Sequence, residues 1–497
     1  MAMISVNDLT FCYDGSYDNI FEHVSFQIDT DWKLGFTGRN GRGKTTFLSL
    51  LMGKHEYRGS ISSPVSFDYF PFPVPDPDNL TADVIAEVAP RALVWQVKRE
   101  FALLSLEEDV LYRPFLTLSH GERTKALLAA LFLKQNNFLL IDEPTNHLDM
   151  QGRELVCRYL SGKKGFILVS HDRAFLDGCV DHILSINKAD ITVTKGDFST
   201  WWENKARQDA FEQGENEKLM GQILHLGQAA ARTANWSDQV EATKIGGGPC
   251  DRGAIGAKSA KMMKRAKAIE KRRQGAIEEK SKLLKNIERN ENLAVHPLLH
   301  RKERLVELSG VTVEYASKTV LRNLRLGLAR GERLALTGPN GCGKSTIVKL
   351  IAQAAGCELS GANRIPHTGT VLLPNDLVVS YVPQDSSFLQ GDPLEFARRA
   401  GVDPSLFLTI LRKLDFPRVQ FEKDMADYSA GQRKKVLLAK SLCEKAHLYL
   451  WDEPLNYIDV LSRMQIEALI KEGGPTMLFV EHDRAFVQSI ATRVEAL

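Results

Sequence analysis

Short, continuous apolar runs occur along this chain in two sets of three. Residues 33–36 (apolar after Lys33), 138–141 and 166–169 form the first set, and residues 333–336 (apolar after Arg333), 448–451 and 477–480 the second. Runs this short and this uniformly apolar predict strands buried on both faces. The longer stretches between them read as helices, so an α/β core is expected in each half. The middle of the chain has a different pattern. From Lys205 to Val295 only Pro249 interrupts it, and apolar positions recur at helical spacing. Phe211, Met220, Ile223, Ala230 and Ala234 make one stripe; Met262, Ala266, Ile269, Ala276, Leu283 and Ile287 make another. Two long antiparallel helices joined by an irregular tip fit this pattern, each arm of about 30 residues extending about 45 Å. The expected organisation is a first domain over residues 1–203, a helical connector over 204–300 with its tip at about 236–256, and a second domain over 301–497.

The two outer domains carry the same polar motifs in the same order. Gly38-Arg39-Asn40-Gly41-Arg42-Gly43-Lys44-Thr45 returns 300 residues later as Gly338-Pro339-Asn340-Gly341-Cys342-Gly343-Lys344-Ser345. Leu118-Ser119-His120-Gly121-Glu122 and Asp142-Glu143-Pro144 return 310 residues on, and His171-Asp172-Arg173 returns after 311. A slowly growing offset is the mark of a duplicated domain with small insertions.

Each motif has a physical purpose. A Gly-x-x-x-x-Gly-Lys-Thr/Ser loop between strand and helix lets backbone N–H groups wrap a phosphate at a helix N-terminus. Lys44 and Lys344 then reach the outer phosphates, and the hydroxyls of Thr45 and Ser345 suit Mg²⁺. Gly38, Asn40, Gly41, Gly43 and Thr46, with Gly338, Asn340, Gly341, Gly343 and Thr346, complete the two cradles. Asp142 and Asp452 close apolar strands and can hold the metal through its water shell. Glu143 and Glu453 follow directly and can polarise a water against the terminal phosphate. His171 and His482, each after an apolar strand, are placed to sense that phosphate. Ser119, Gly121 and Glu122, with Ser429, Gly431 and Gln432, open helices whose N-terminal donors make a second anion site. ATP and Mg²⁺ are the expected cofactors.

Composition narrows the class further. At 497 residues with 43% apolar and 25% charged residues, the chain has room for two cassettes and a connector. No apolar run approaches the ~20 residues that cross a bilayer. The first residues lead straight into a strand-like segment, so no signal peptide and no membrane partner are expected. Seven scattered cysteines without a Cys-x-x-Cys pair suit reduced thiols in the cytoplasm. The net charge of +2 hides an asymmetry: Lys258–Arg289 holds twelve basic and four acidic residues, a local +8. That stretch is the place for a polyanion.

The motif set resembles the ATP-binding cassette (ABC) superfamily over both outer domains. The resemblance implies that each Ser-x-Gly motif completes the nucleotide site of the other cassette, so that Lys44 faces Ser429 and Gly431, and Lys344 faces Ser119 and Gly121. It also implies adenine stacking by Tyr13 and Tyr315, and a metal- and water-contacting role for Gln384. The equivalent position in the first half is Phe72, which leaves one site a polar ligand short, so unequal turnover is expected. Two cassettes with a helical connector resemble the ABC-F branch, as does the Gly196-to-Trp202 run. Members of that branch bind the ribosome at the tRNA exit site. A bacterial 70S ribosome, its P-site tRNA and its 23S rRNA are therefore the implied partners of a monomer whose cassettes pair within one chain. The long tip resembles the Lsa/Vga-type ribosomal-protection proteins, which counter lincosamides, pleuromutilins and streptogramin A. By this resemblance Trp236, Lys244, Ile245, Pro249, Arg252, Lys258, Lys261, Lys264 and Arg265 contact RNA. Four alternatives stay open: a translation factor that rescues stalled ribosomes, a transporter ATPase, an rRNA-assembly protein, and a connector that is only a solvated spacer.

Overall fold

In a computed structural model the described residues are 2–13, 19–134, 137–146, 148–187, 190–212, 214–215, 218–221, 295, 297–315, 318–357 and 364–497. By internal contacts the chain divides into residues 1–201 with 291–497 as one unit and residues 202–290 as another. Of the second unit, residues 202–212, 214–215 and 218–221 are helical. The expected tip at 236–256 and the basic stretch to residue 289 lie outside the described residues, as do the RNA-contacting residues assigned there.

The first unit contains two α/β cassettes built to one plan. In the first, a parallel sheet runs Ser66–Phe70, Asn137–Asp142, Phe166–Val169, Lys33–Thr37, His182–Asn187, with Asp190–Lys195 added antiparallel at the edge. In the second, the all-parallel order is Val379–Val382, Leu448–Asp452, Met477–Val480, Arg333–Thr337, Arg493–Ala496. The glycine-loop strand is thus interior in both sheets, and in such folds ligands bind outside the C-terminal ends of the strands. The apolar runs are buried because helices cover both faces: Leu34, Phe36, Leu140, Ile167 and Leu168 are fully buried, as are Leu334, Leu336, Leu450, Leu478 and Val480.

Each cassette adds a three-stranded antiparallel sheet. Met3–Phe11 lies between Phe21–Asp29 and Arg58–Ser62, and Arg304–Tyr315 between Lys318–Ala329 and His367–Leu372. Phe47, on the helix after the first glycine loop, packs its ring against Phe21, Phe26 and Phe36 and so joins the two sheets. A helical portion completes each cassette: Thr81–Val88, Val94–Leu103 and His120–Phe132 in the first, Pro393–Arg399, Pro404–Lys413 and Ala430–Cys443 in the second. No helix among the described residues is long and apolar enough to cross a membrane.

Candidate functional site

Each glycine loop bends from its strand into a helix, Lys44–Leu51 or Lys344–Ala354. The residue before each helix must be glycine: Gly43 and Gly343 have φ of 92° and 103°, and a Cβ there would meet Ile20 Cγ2 at 2.5 Å or Leu321 Cδ2 at 2.6 Å. Lys44 Nζ donates to Gly38 O at 2.6 Å, and to Arg39 O and Asn40 Oδ1 at 3.3 Å. Lys344 Nζ donates to Gly338 O and Pro339 O, both at 2.8 Å. Both ammonium groups are therefore held over the mouths of their own loops. Burial lowers the pKa of Lys44, against the opposing pull of Asp459, Glu143 and Asp142.

Behind each loop stands the acid pair. The Ser345 hydroxyl donates to Asp452 Oδ1 at 2.9 Å, while the buried Asp452 Oδ2 has no hydrogen-bond partner. Burial raises the Asp452 carboxyl to about 6. A hydroxyl beside an orphaned carboxylate oxygen is a donor set that fits a hard divalent cation. In the first cassette Thr45 Oγ1 lies 3.4 Å from Asp142 Oδ2, and the Tyr69 hydroxyl donates to the same oxygen at 2.8 Å. Asp142 is also raised by burial.

The next residue differs between the halves. Glu143 and Glu453 take left-handed backbone conformations, φ 51° and 47°, with their N–H groups bonded to Val169 O and Val480 O on the neighbouring strand. Glu453 Oε2 accepts from Gln384 Nε2 at 2.9 Å and Asn456 Nδ2 at 2.8 Å, and His482 Nε2 is 3.4 Å from Oε1. Burial alone would raise its pKa, but His482, Gln384 and Asn456 together hold it at about 2. His171 Nε2 is also 3.4 Å from Glu143 Oε1, but that oxygen has no hydrogen-bond partner. Burial first, then the Asp142 charge, push Glu143 up to about 8. His171 is held well below its usual range by burial and by the Lys44 charge. Two glutamates in identical motifs thus have opposite electrostatics.

The cassettes meet across these sites. Ser119 and Ser429 cap their helices, each accepting from the N–H three residues on at 3.3 Å, while the side chains of Glu122 and Gln432 bond back to the serine N–H. A cavity of about 720 Å³ is lined by Ser119, His120, Gly121 and Glu122 of the first cassette, and by Asn340, Gly341, Gly343, Lys344, Ser345, Thr346, Gln384, Glu453 and His482 of the second. The volume lies within the ~300–1,000 Å³ range of small-molecule sites. On the other side, Asn40 Nδ2 donates to Tyr457 O at 2.9 Å, and the Asp459 charge acts on Lys44. Tyr13 lies beside the first loop, with its hydroxyl 2.8 Å from Thr46 Oγ1. Tyr315 is 43% exposed and is not part of the cavity lining, where Val320 stands instead.

The sequence reasoning missed the loop that follows each glutamate. Asn456 holds Glu453, Asp149 and Arg153 line the cavity, and Asp459 pairs with Lys435 at 3.4 Å in a buried contact. The signal was present: Asn146-x-x-Asp149 returns as Asn456-x-x-Asp459 at the same offset of 310.

Known proteins match this arrangement. The family described as ABC transporter matches residues 21–146 and 321–456, more than half of the chain. The ribosome protection protein VmlR of Bacillus subtilis is 28% identical, the match spanning 96% of this chain and 83% of that protein. The ATP-binding protein Uup of Caulobacter vibrioides is also 28% identical, over 96% and 74%. The energy-dependent translational throttle protein EttA of Haemophilus influenzae is 24% identical, over 96% and 88%. Among solved structures, the RNase-L Inhibitor superposes with a TM-score of 0.62 at 20% identity, covering 99% of this chain and 87% of that one. An archaeal ribosome recycling factor, aABCE1, gives the same score over 98% and 87%.

Proposed function

The chain belongs to the ABC transporter family of ATP-binding cassettes, and from that premise we propose that it is a ribosome-binding ATPase of the ABC-F branch. The observation that carries the reading is the cavity in which the Ser119 motif of one cassette faces Lys344 and Glu453 of the other. A triphosphate there lies between two sets of donors from different cassettes, so binding it draws the cassettes together and losing its terminal phosphate lets them part. Glu453 and Glu143 act as bases toward the attacking water, and His482 and His171 orient them. Ser345 with Asp452, and Thr45 with Asp142, would hold Mg²⁺, which would supply positive charge against the phosphates. Gln384 serves the second site, while Phe72 leaves the first without an equivalent.

Relatives named as a ribosome protection protein and as a translational throttle protein support the ribosome as partner. In this reading the protein works in the cytoplasm as a monomer. Its basic connector approaches P-site tRNA and 23S rRNA, through phosphate contacts made by Lys258, Lys261, Lys264 and Arg265. Displacement of a lincosamide, pleuromutilin or streptogramin A drug from the peptidyl-transferase region follows as the specific activity. The Glu143→Gln, Glu453→Gln double variant is expected to bind ATP, fail to hydrolyse it and co-sediment with 70S ribosomes. Variant protein left in the supernatant with ATP present would refute the ribosome assignment. The likeness to the throttle protein favours a second reading, a translation factor without a drug role. Inhibitory-concentration measurements on cells expressing the chain, with and without residues 244–250, separate the two.

A further inference from the structure

The duplication lets each contact between the cassettes be compared with the residues at the equivalent positions of the other half. Three contacts converge on the first glycine loop and its surroundings. Arg39, within the loop, has Nη1 3.7 Å from Asp415 Oδ1 of the second cassette, and both side chains are largely buried. Asn40 donates to Tyr457 O. Arg173, two residues after His171, pairs with Glu467, whose other oxygen accepts from the Ser489 hydroxyl at 3.1 Å; the Arg173 and Glu467 side chains are 16% and 9% exposed.

The equivalent positions carry different chemistry. Asp415 follows the helix Pro404–Lys413 with φ 56°, and Ser105 follows Val94–Leu103 with φ 48°. Opposite Ser105 in the duplicated plan stands Pro339, where the first loop has Arg39. Glu467 lies eight residues past the cap Asp459, and Cys157 lies eight past Asp149, so the partner available to Arg484 is a thiol. Arg484 is exposed, whereas Arg173 is half-buried. The Asn40 contact uses a backbone carbonyl and does not depend on a partner's side chain. Both ion pairs are therefore written into one side only, the side of Lys44.

We propose that Arg39–Asp415 and Arg173–Glu467 are positioning pairs that hold Tyr457 and Asp459 against the Lys44 loop, so that the cassettes part first and more often at the Lys344 cavity while the Lys44 side opens more slowly. Arg173 acts through the second-cassette helix Val460–Gly473, whose N-cap is Asp459. Close charge pairs at a largely desolvated boundary couple its two sides more strongly than exposed pairs do. Entry and departure of nucleotide are then faster at the Lys344 site, whose boundary between the cassettes carries neither pair. This rests on the reading of both loops as nucleotide sites.

Amide hydrogen exchange on the full chain without nucleotide tests it, following peptides that cover residues 37–46 and 337–346. The first loop is expected to exchange more slowly than the second. Asp415→Asn with Glu467→Gln is expected to speed exchange of the first loop by ~10-fold and leave the second unchanged. Exchanging the charges, Arg173→Glu with Glu467→Arg, should restore most of the protection that Glu467→Gln alone removes. Should the substituted chains not fold, Arg39→Lys with Arg173→Lys replaces them: it keeps both charges, loses the guanidinium geometry, and should speed the first loop selectively. Equal exchange of the two loops in the natural chain, or an unchanged ratio in the double variant or in the lysine variant, overturns the proposal. ATP binding is titrated separately. A chain that keeps the exchange difference but binds no ATP sinks the nucleotide reading and leaves the one-sided clasp standing.

Discussion

Glu143 and Glu453 should respond to pH differently when each is left as the only base. Glu453 sits at about 2, so it is fully ionised throughout the neutral range. Glu143 sits at about 8, so about 10% of it is ionised at pH 7 and about 90% at pH 9. Only the ionised form accepts a proton, so activity that depends on Glu143 must rise with pH. The Glu453→Gln variant, which retains Glu143, is expected to gain ~10-fold in turnover between pH 7 and pH 9. The Glu143→Gln variant, which retains Glu453, should be flat over that range. At pH 7 the loss from Glu453→Gln should exceed the loss from Glu143→Gln by about tenfold. Steady-state phosphate release at saturating ATP, measured for both variants in a series of buffers, reads this directly. Flat profiles for both variants, or a larger loss from Glu143→Gln at neutral pH, would refute the assignment of unequal carboxylates.

The same perturbed carboxyl affects stability. Its folded pKa lies above the ordinary 4.5, so stability is lost as pH rises from there towards 8. Glu143→Gln should therefore stabilise the protein by about 2 kcal/mol at pH 8, after discount for partial exposure, and by nothing at pH 4, as read by urea midpoints. Asp459→Ala strands the buried Lys435 ammonium and should cost ~3–5 kcal/mol, whereas Lys435→Met with Asp459→Leu should cost much less. Gly43→Ala and Gly343→Ala each force a Cβ into a packed side chain at positive φ and should abolish ATP binding at their own loop, measured by nucleotide titration. Phe72→Gln in the Glu453→Gln background supplies a donor towards Glu143, and should shift the pH-dependent rise to lower pH.

The cassettes were legible because phosphate chemistry forces fixed spacings onto fixed local geometry. A strand, a glycine loop and a helix must succeed each other within a dozen residues, and the offsets of 300 to 311 repeat that demand. Parallel strands buried on both faces announce themselves as apolar runs. What was not legible depends on contacts across long sequence separations. Phe72 against Gln384 hinted at inequality, but the opposed charge states of Glu143 and Glu453 also need Asn456 in place, 72 residues beyond Gln384. The Asn-x-x-Asp loop was repeated in plain view, yet nothing local distinguishes it from a helix cap. Its use in joining cassettes emerges only when Asn40 meets Tyr457. Tyr13 and Tyr315 read alike in sequence, but only Tyr13 is tied to its loop, through Thr46.

The left-handed backbone at Glu143 and Glu453 has a consequence for anyone who evolves this protein in the laboratory. A glutamate at φ near 50° costs roughly 1–2 kcal/mol relative to glycine, which takes that conformation freely. A screen for heat resistance alone will enrich glycine or asparagine at these two positions. The survivors will be sturdier, and they will no longer burn their fuel.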